Sequence, residues 1–269
     1  MANPQTTVTF LGTASAVPAA GHDTSSFVIN GKYLVDTGWN AAIRMLEHGF
    51  TPVDLEYLFF THCHHDHYLG LPHLLFYLSM RRREDPHRPP LKIVGPAEDT
   101  EEVVALAHRF LQTDRFPGLE QTPEIIPLNP GESYQTDAFR IDTCATIHPV
   151  QGLCYRFTDK KSGAVFAFTG DTAYHPPIAT YVKGVSFLIH EASNGPENPR
   201  PKATSGHSGA PQAATIAQAA GVDLLALIHC PEKHAKRALA AAQRIFANTL
   251  FPADGQTITL TAEGVTSAQ

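Results

Sequence analysis

The sequence predicts an α/β protein: sheets covered by helices, within one domain. Three observations carry that expectation. Short apolar runs rich in β-branched and aromatic residues recur along the chain. Patterns with helical periodicity lie between several of them. A length of 269 residues, 43% of them hydrophobic, is enough to bury a large core without a second domain.

Taken in order, VTFLG (8–12), SSFVI (25–29) and KYLVD (32–36) read as strands. NAAIRMLEHG (40–49) has apolar residues at helical spacing, with Gly49 placed to stop it. LEYLFF (55–60) is the next strand. GLPHLLFYLSMRRRE (70–84) is a second helix, and DPHRPP (85–90) turns from it into the strand LKIVG (91–95). EDTEEVVALAHRFLQ (98–112) opens with acids in its first turn, which suits the helix dipole. FRIDT, LCYRF and VFAFTG follow as strands, and residues 124–169 hold no convincing helix, so antiparallel pairing is expected there. VSFLIH (185–190) and LLALIH (224–229) flank PQAATIAQAAG, which starts on Pro and ends on Gly, the expected helix asymmetry. HAKRALAAAQRIFAN is the last helix and TITLT the last strand. No internal repeat or linker divides the chain, so residues 1–269 are expected to form one domain.

Composition excludes several classes. The net charge is −6, from 20 basic and 26 acidic residues, which disfavours a general polyanion binder. The start MANPQTTVTF has no basic region followed by an apolar one, and no run reaches the ~18 apolar residues of a membrane span. Four cysteines, Cys63, Cys144, Cys154 and Cys230, have no CxxC spacing. A reduced, cytoplasmic protein with free thiols is expected.

The chemistry concentrates in THCHHDHYLG (61–70), with four histidines, an aspartate and a cysteine in six consecutive positions. It follows the strand 55–60, so it should lie on a loop at a strand end. Imidazole and carboxylate together suit Zn²⁺, with Mn²⁺ or Fe as alternatives. His62 and His64 alternate and can lean to one side of an extended segment. Asp66 and His67 follow where the chain must turn, and can serve a second ion. His65 and Cys63 then point elsewhere. His148, Asp171 and His229 each end an apolar strand-like run, where functional loops gather. Seven such residues supply two ions if one carboxylate bridges, with the ions roughly 3.5–4 Å apart. Asp36, in VDTG, is expected to orient a ligand histidine. His190 reads as a structural neighbour of Glu191. His22, His73, His108, His175 and His234 read as surface or pocket-rim residues. Arg81, Arg82 and Arg83 read as a solvated helix end rather than phosphate contacts. Trp39 is read equally as pocket-lining or packing.

H-x-H-x-D-H at 62–67, with His148, Asp171 and His229 downstream, resembles the metallo-β-lactamase superfamily. FLGTASAVP, SSFVING, VDTG at 35–38, HEAS at 190–193 and GHSGAPQAA at 206–214 resemble its ribonuclease Z-like branch. The resemblance runs in order from about Val8 to about Pro231. It implies an αββα metallo-β-lactamase sandwich, two mixed sheets flanked by helices, with the metals at one edge. It assigns His62, His64 and His148 to one ion, Asp66, His67 and His229 to the other, and Asp171 to the bridge. It also implies that a water bridging and deprotonated by both ions is the nucleophile. The histidine that protonates the leaving group maps to His207, and the glutamate supporting it to Glu191. Asp66, His207 and Glu191 are therefore the expected catalytic residues. Gly209 stands where the branch has Thr, a small departure.

The substrate follows from a span. His148 and Asp171 are 23 positions apart, and the segment between reads as two strands and a turn. The long arm that tRNA-processing members carry there has no room. With the net charge of −6, this disfavours tRNA and points to a small-molecule ester: a phosphodiesterase for a small, cyclic or open, phosphodiester. The alternatives are a lactonase, carboxylic-ester or aryl-sulfate hydrolase on the same metals, a ribonuclease Z, and a non-catalytic effector with the same fold. The resemblance leaves a homodimer open.

Overall fold

The computed structural model describes residues 4–81, 87–119, 121–199 and 205–268. Arg82, Arg83 and the first residues of DPHRPP lie outside them. The strands in chain order are β1 (Thr6–Gly12), β2 (Ser26–Ile29), β3 (Tyr33–Val35), β4 (Tyr57–Phe59), β5 (Lys92–Pro96), β6 (Glu124–Leu128), β7 (Ser133–Gln135), β8 (Phe139–Ala145), β9 (Leu153–Asp159), β10 (Val165–Phe168), β11 (Phe187–Glu191), β12 (Leu224–Ile228), β13 (Thr249–Leu250), β14 (Thr257–Thr261) and β15 (Gly264–Ala268). The α-helices are α1 (Ala41–Glu47), α2 (His65–Tyr68), α3 (Leu71–Arg81), α4 (Thr100–Leu111), α5 (Pro177–Tyr181), α6 (Ala210–Ala220) and α7 (Glu232–Gln243).

Most strands are apolar on successive residues because both of their faces are buried. In β3, Tyr33 and Val35 join one core while Leu34 joins another. In β11, Phe187 and Ile189 join the first core and Leu188 a third. The shared core lies between two sheets, one of eight strands in the order β15-β14-β1-β2-β3-β4-β5-β6 and one of seven in the order β13-β12-β11-β10-β9-β8-β7. Phe27 and Phe168 meet across it edge to face, with ring centroids 5.3 Å apart. The other two cores join the outer faces to α1, α3 and α4 on one side and to α5, α6 and α7 on the other. This is the four-layer αββα arrangement that the resemblance implies.

Both sheets are mixed. β3, β4, β5 and β6 run parallel, as do β10, β11, β12 and β13, while β7 to β10 pair antiparallel in sequence. The antiparallel expectation for 124–169 therefore holds for β7 to β10 and fails for β6, which runs parallel to β5. Pro127 sits inside β6, an edge strand, where a missing N–H costs no ladder bond. The helix ends follow local chemistry. α4 carries Glu101 and Glu102 in its first turn and closes on Gln112 at φ 51°. α6 ends on Gly221 at φ 70°. No helix among the described residues is long and apolar enough to cross a membrane.

Parallel order has one consequence for chemistry. The C-terminal ends of β3, β4, β8, β10, β11 and β12 gather at one edge of the sandwich, and Asp36, His62, His148, Asp171, Glu191 and His229 stand at or just beyond them.

Candidate metal centre

The motif 61–70 is only partly the loop its sequence suggests. His62 and His64 leave β4 extended, and residues 65–68 then close into the single turn α2. That turn is tied down from outside. Thr24 Oγ1 donates to the Asp66 carbonyl at 2.9 Å, and the Thr37 amide donates to the His67 carbonyl at 2.8 Å. Gly70 lets the next helix come close, since a Cβ there would stand 2.6 Å from the Thr37 carbonyl oxygen. Asp66 and His67 thus turn inward while His65 is exposed. Cys63 instead packs against the core shared with α1, α3 and α4, and burial pushes its thiol up to about 12.

His62, His67, His148 and His229 each have Nδ1 fixed by a partner outside the cluster. His67 Nδ1 donates to Asp36 Oδ2 at 2.8 Å. The same carboxylate accepts from the Thr61 hydroxyl, so that hydroxyl accepts from His62 Nδ1 at 3.1 Å. His148 Nδ1 donates to the Gly206 carbonyl at 2.9 Å. Ser193 Oγ donates to the His229 carbonyl at 3.1 Å and accepts from His229 Nδ1. These partners set the ring orientations: Nε2 of His62 and His67 is left without a hydrogen-bond partner among the described residues, while His148 Nε2 meets His64 Nδ1 at 2.7 Å and His229 Nε2 meets Asp66 Oδ2 at 2.9 Å. His229 and Asp36 hold φ values of 55° and 53°, positions where a non-glycine residue is under strain.

These atoms converge. His62, His64 and His148 offer donor atoms within 4.8 Å of one another, and so do Asp66, His67 and His229. Asp171 stands between the sets, its Oδ2 3.6 Å from His62 Nε2, 3.6 Å from His67 Nε2 and 3.5 Å from His229 Nε2. These triplets are the two sets that the resemblance implies, and the geometry also groups His62, His67 and Asp171. His62 Nε2, His67 Nε2 and Asp171 Oδ1 are buried with no hydrogen-bond partner among the described residues. Buried donors without partners are costly, and a cation among them removes that cost. The residues fit a metal centre.

Electrostatics agree with the donor sets. Burial, with the neighbouring His67, holds His62 well below the usual imidazole range, and burial lowers His64 and His148 too. Burial opposes charge on His67, but the Asp36 and Asp171 carboxylates outweigh it and hold the ring well above its ordinary value. His229 is raised against burial by Asp171 and Asp66. Burial acts against the Asp171 carboxylate, yet the surrounding imidazoles of His229, His67 and His62 hold it well below the ordinary value.

His207 stands beside this centre, its Nδ1 3.2 Å from Glu191 Oε1 and 3.7 Å from Asp171 Oδ2. Burial opposes its charge, and the hydrogen bond to Glu191 raises it. Glu191 is itself fixed by three backbone amides, those of Thr172, Ser193 and Ser208, at 3.1, 2.8 and 2.9 Å. It therefore ties the Asp171 and His207 loops together as well as holding the ring. His207 also falls within donor range of His148 and Asp171, and of Glu191 and His229, so the geometry by itself admits it as a ligand. The departure at Gly209 has a steric reason: a Cβ there would stand 1.6 Å from the Glu197 carbonyl oxygen.

All nine expected site residues come together. Trp39 lines an apolar cavity of about 360 Å³ with Tyr68, Leu69, His73, Leu106 and Phe110. Arg81, at the end of α3, lies over Tyr77, 5.8 Å from the ring centroid. His190 is buried, with Nδ1 donating to the Glu191 carbonyl at 2.8 Å. Three anchors escaped the sequence reading: Thr61, Ser193 and the Gly206 carbonyl. Thr61 and Ser193 adjoin motif residues, which was a usable signal; a backbone carbonyl leaves none.

Comparison with known proteins agrees. The family model described as Anti-Pycsar protein Apyc1 matches residues 6–201. Ribonuclease Z of Methanothermobacter thermautotrophicus is 26% identical over 306 positions, covering 95% of this chain and 97% of the relative. Ribonuclease BN of Cronobacter sakazakii is 28% identical, covering 94% and 99%. Among solved structures, the metallo-β-lactamase fold protein YhfI from Bacillus subtilis superposes with a TM-score of 0.80 at 22% identity, covering 95% of this chain and 100% of that one. Human tRNase Z, short form, gives 0.71 at 22% identity, covering 94% and 98%. A diphosphatase of the PhnP family gives 0.72 at 20% identity, covering 94% and 96%.

Proposed function

We propose that this chain, which belongs to the Anti-Pycsar protein Apyc1 family, is a dinuclear metal-dependent phosphodiesterase for a small phosphodiester, cyclic ones included. It is a ribonuclease Z-like member of the metallo-β-lactamase superfamily, and a metal-dependent hydrolase at that level. Residues 1–269 are read as one such catalytic domain.

One observation carries the reading: Asp171 stands between two donor triplets with the His207–Glu191 pair beside it. In this reading His62, His64 and His148 hold one divalent ion, Asp66, His67 and His229 the other, and Asp171 both. Zn²⁺ suits the donors, with Mn²⁺ or Fe next. When bound, the ions supply Lewis acidity, lowering the pKa of water toward about 7 and offsetting charge on phosphoryl oxygens. The chain's own groups do the rest. His207 carries a proton on Nε2 and delivers it to the leaving oxygen, because an alkoxide leaves poorly unprotonated. Glu191 holds Nδ1–H and so keeps that ring oriented. Asp66 orients its set while holding charge. The short span from His148 to Asp171 and the net charge of −6 favour a small diester over tRNA. The alignment with the archaeal ribonuclease Z runs over 306 positions, so that relative carries residues this 269-residue chain lacks. Relatives named ribonuclease Z keep RNA processing as the second reading.

The test uses metal-quantified protein on cyclic nucleotides, bis(p-nitrophenyl) phosphate, a lactone and a tRNA precursor. Turnover should be highest on a small phosphodiester. His207→Ala should keep its metal yet lose at least ~100-fold on an alkyl diester, and much less where the leaving group is already good. An unchanged alkyl-diester rate removes the acid role and favours the lactonase or carboxylic-ester alternative. Metal loss in that variant makes His207 a ligand. Two bound metals without turnover on any ester favour a binding protein.

A further inference from the structure

β8 carries His148 three residues beyond its end, and β9 begins just after the same hairpin's loop. In this ladder Cys144 lies directly opposite Cys154. The two side chains therefore lie side by side on one face of the sheet, and neither is in a disulfide. The pair type follows from its neighbours. Thr146 N donates to the Gly152 carbonyl and Lys160 N to the Ala138 carbonyl, so alternate pairs of this register, Cys144–Cys154 among them, are hydrogen-bonded pairs. Their Cα atoms then stand about 5.5 Å apart, inside the range of about 4.4–6.8 Å that a disulfide spans. The Cβ atoms must still approach to about 3.8 Å, which pinches the two strands and leaves the bond easily reduced. Cys144 is half-buried and open to an oxidant, whereas Cys154 is fully buried behind it. Tyr181 of α5 packs against the same core cluster.

We propose that Cys144 and Cys154 form a reversible dithiol–disulfide site that acts on the metal centre through the 146–152 loop. The second half rests on the reading of His148 as a ligand; the first does not. With a low-molecular-weight disulfide as oxidant, Cys144 Sγ attacks one sulfur, forming a mixed disulfide and expelling one thiolate, which takes up a proton. Cys154 Sγ then attacks Cys144 Sγ, releasing the second small thiol. The protein loses two electrons and two protons, and the oxidant becomes two thiols. The pinch reaches the centre by two routes. The loop bears His148, and Gly152 bridges to His62 while Leu153 N donates to the Thr61 carbonyl at 2.8 Å.

The experiment treats metal-loaded protein with oxidised glutathione, followed by peptide mapping, thiol counting and turnover. Accessible thiols after unfolding should fall from four to two, with the link mapped to Cys144–Cys154. Turnover should fall at least several-fold and return on adding a non-chelating phosphine reductant. Cys144→Ala should keep its basal activity and become insensitive, and Cys154→Ser should behave alike where it folds. Glutathione adducts without the 144–154 link overturn the site. A complete link with unchanged turnover and metal content overturns its action on the centre. A protein that binds no metal but still forms the link separates failure of the metal reading from failure of the thiol site.

Discussion

Asp36 shows how much one residue can set. Its carboxylate accepts from the Thr61 amide, the Thr61 hydroxyl and His67 Nδ1, all at 2.8 Å. Through Thr61 it also reaches His62, so one side chain orients rings belonging to both donor sets. Asp36→Asn keeps the size and loses the charge and one acceptor oxygen. It should cost roughly 10–100-fold in metal affinity, measured by competition with a chromophoric chelator. Unchanged affinity would leave Asp36 as a fold residue only. Gly206 is the matching case for His148. At φ 69°, a Cβ there would stand 2.7 Å from both His148 Nδ1 and Pro149 Cδ. Gly206→Ala should displace that ring and lower occupancy from two ions toward one, counted by elemental analysis. Full occupancy would argue against His148 as a ligand. At this scale the donor types and their spacing were legible, because HxHxDH is local. The anchors were not, since tautomer choice depends on acceptors brought from other strands.

At the scale of elements, the loop after β11 is built around tight backbone approach. Gly209 precedes α6, and a side chain there meets the Glu197 carbonyl. Gly209→Ala should destabilise by on the order of 1–3 kcal/mol through forced displacement, read as a lower denaturant midpoint with an unchanged slope. It should also loosen His207, whose neighbour Ser208 is held by its hydroxyl on the Thr172 carbonyl at 2.8 Å. A midpoint equal to wild type would show that the loop moves freely. The long periodic helices and the buried strands were legible, because apolar runs with both faces covered are unambiguous. β6, β13 and β15 were not. β6 contains Pro127, β13 is two residues long, and β15, GVTSA, has little apolar signal. Each lies at a sheet edge, where pairing with an existing strand supplies what local propensity does not. The turn α2 escaped because four residues carry no period.

For the whole molecule, the centre gathers imidazoles and carboxylates that could hold a metal ion, with His62 Nε2, His67 Nε2 and Asp171 Oδ1 otherwise unpartnered among the described residues. Chelation should therefore lower the melting temperature. An ion present at about 100 times its Kd contributes about 2.7 kcal/mol, worth roughly 5–10 °C in a chain of this size. An equal melting temperature with and without chelator would mean that the donors do not hold metal in the folded state. Acid should act in the same direction. Metal binding requires neutral imidazoles, and Asp36 and Asp171 hold the proton of the metal-free His67 ring to well above the ordinary imidazole value, so loading should release that proton and occupancy, counted by elemental analysis, should already be falling as pH drops toward that ordinary value.

By itself the sequence determined the α/β class, the chemical character of the centre and the lack of room for a long arm between His148 and Asp171. Composition, periodicity and spacing are local quantities, and these conclusions need no more. Only the tertiary structure showed that these donors meet, which partners fix Nδ1 on His62, His67, His148 and His229, and what a side chain at Gly209 would strike. Asp66 meets His229 across 163 positions, and His64 meets His148 across 84. Contacts of that range exist only once parallel strands have brought their C-terminal ends to one edge.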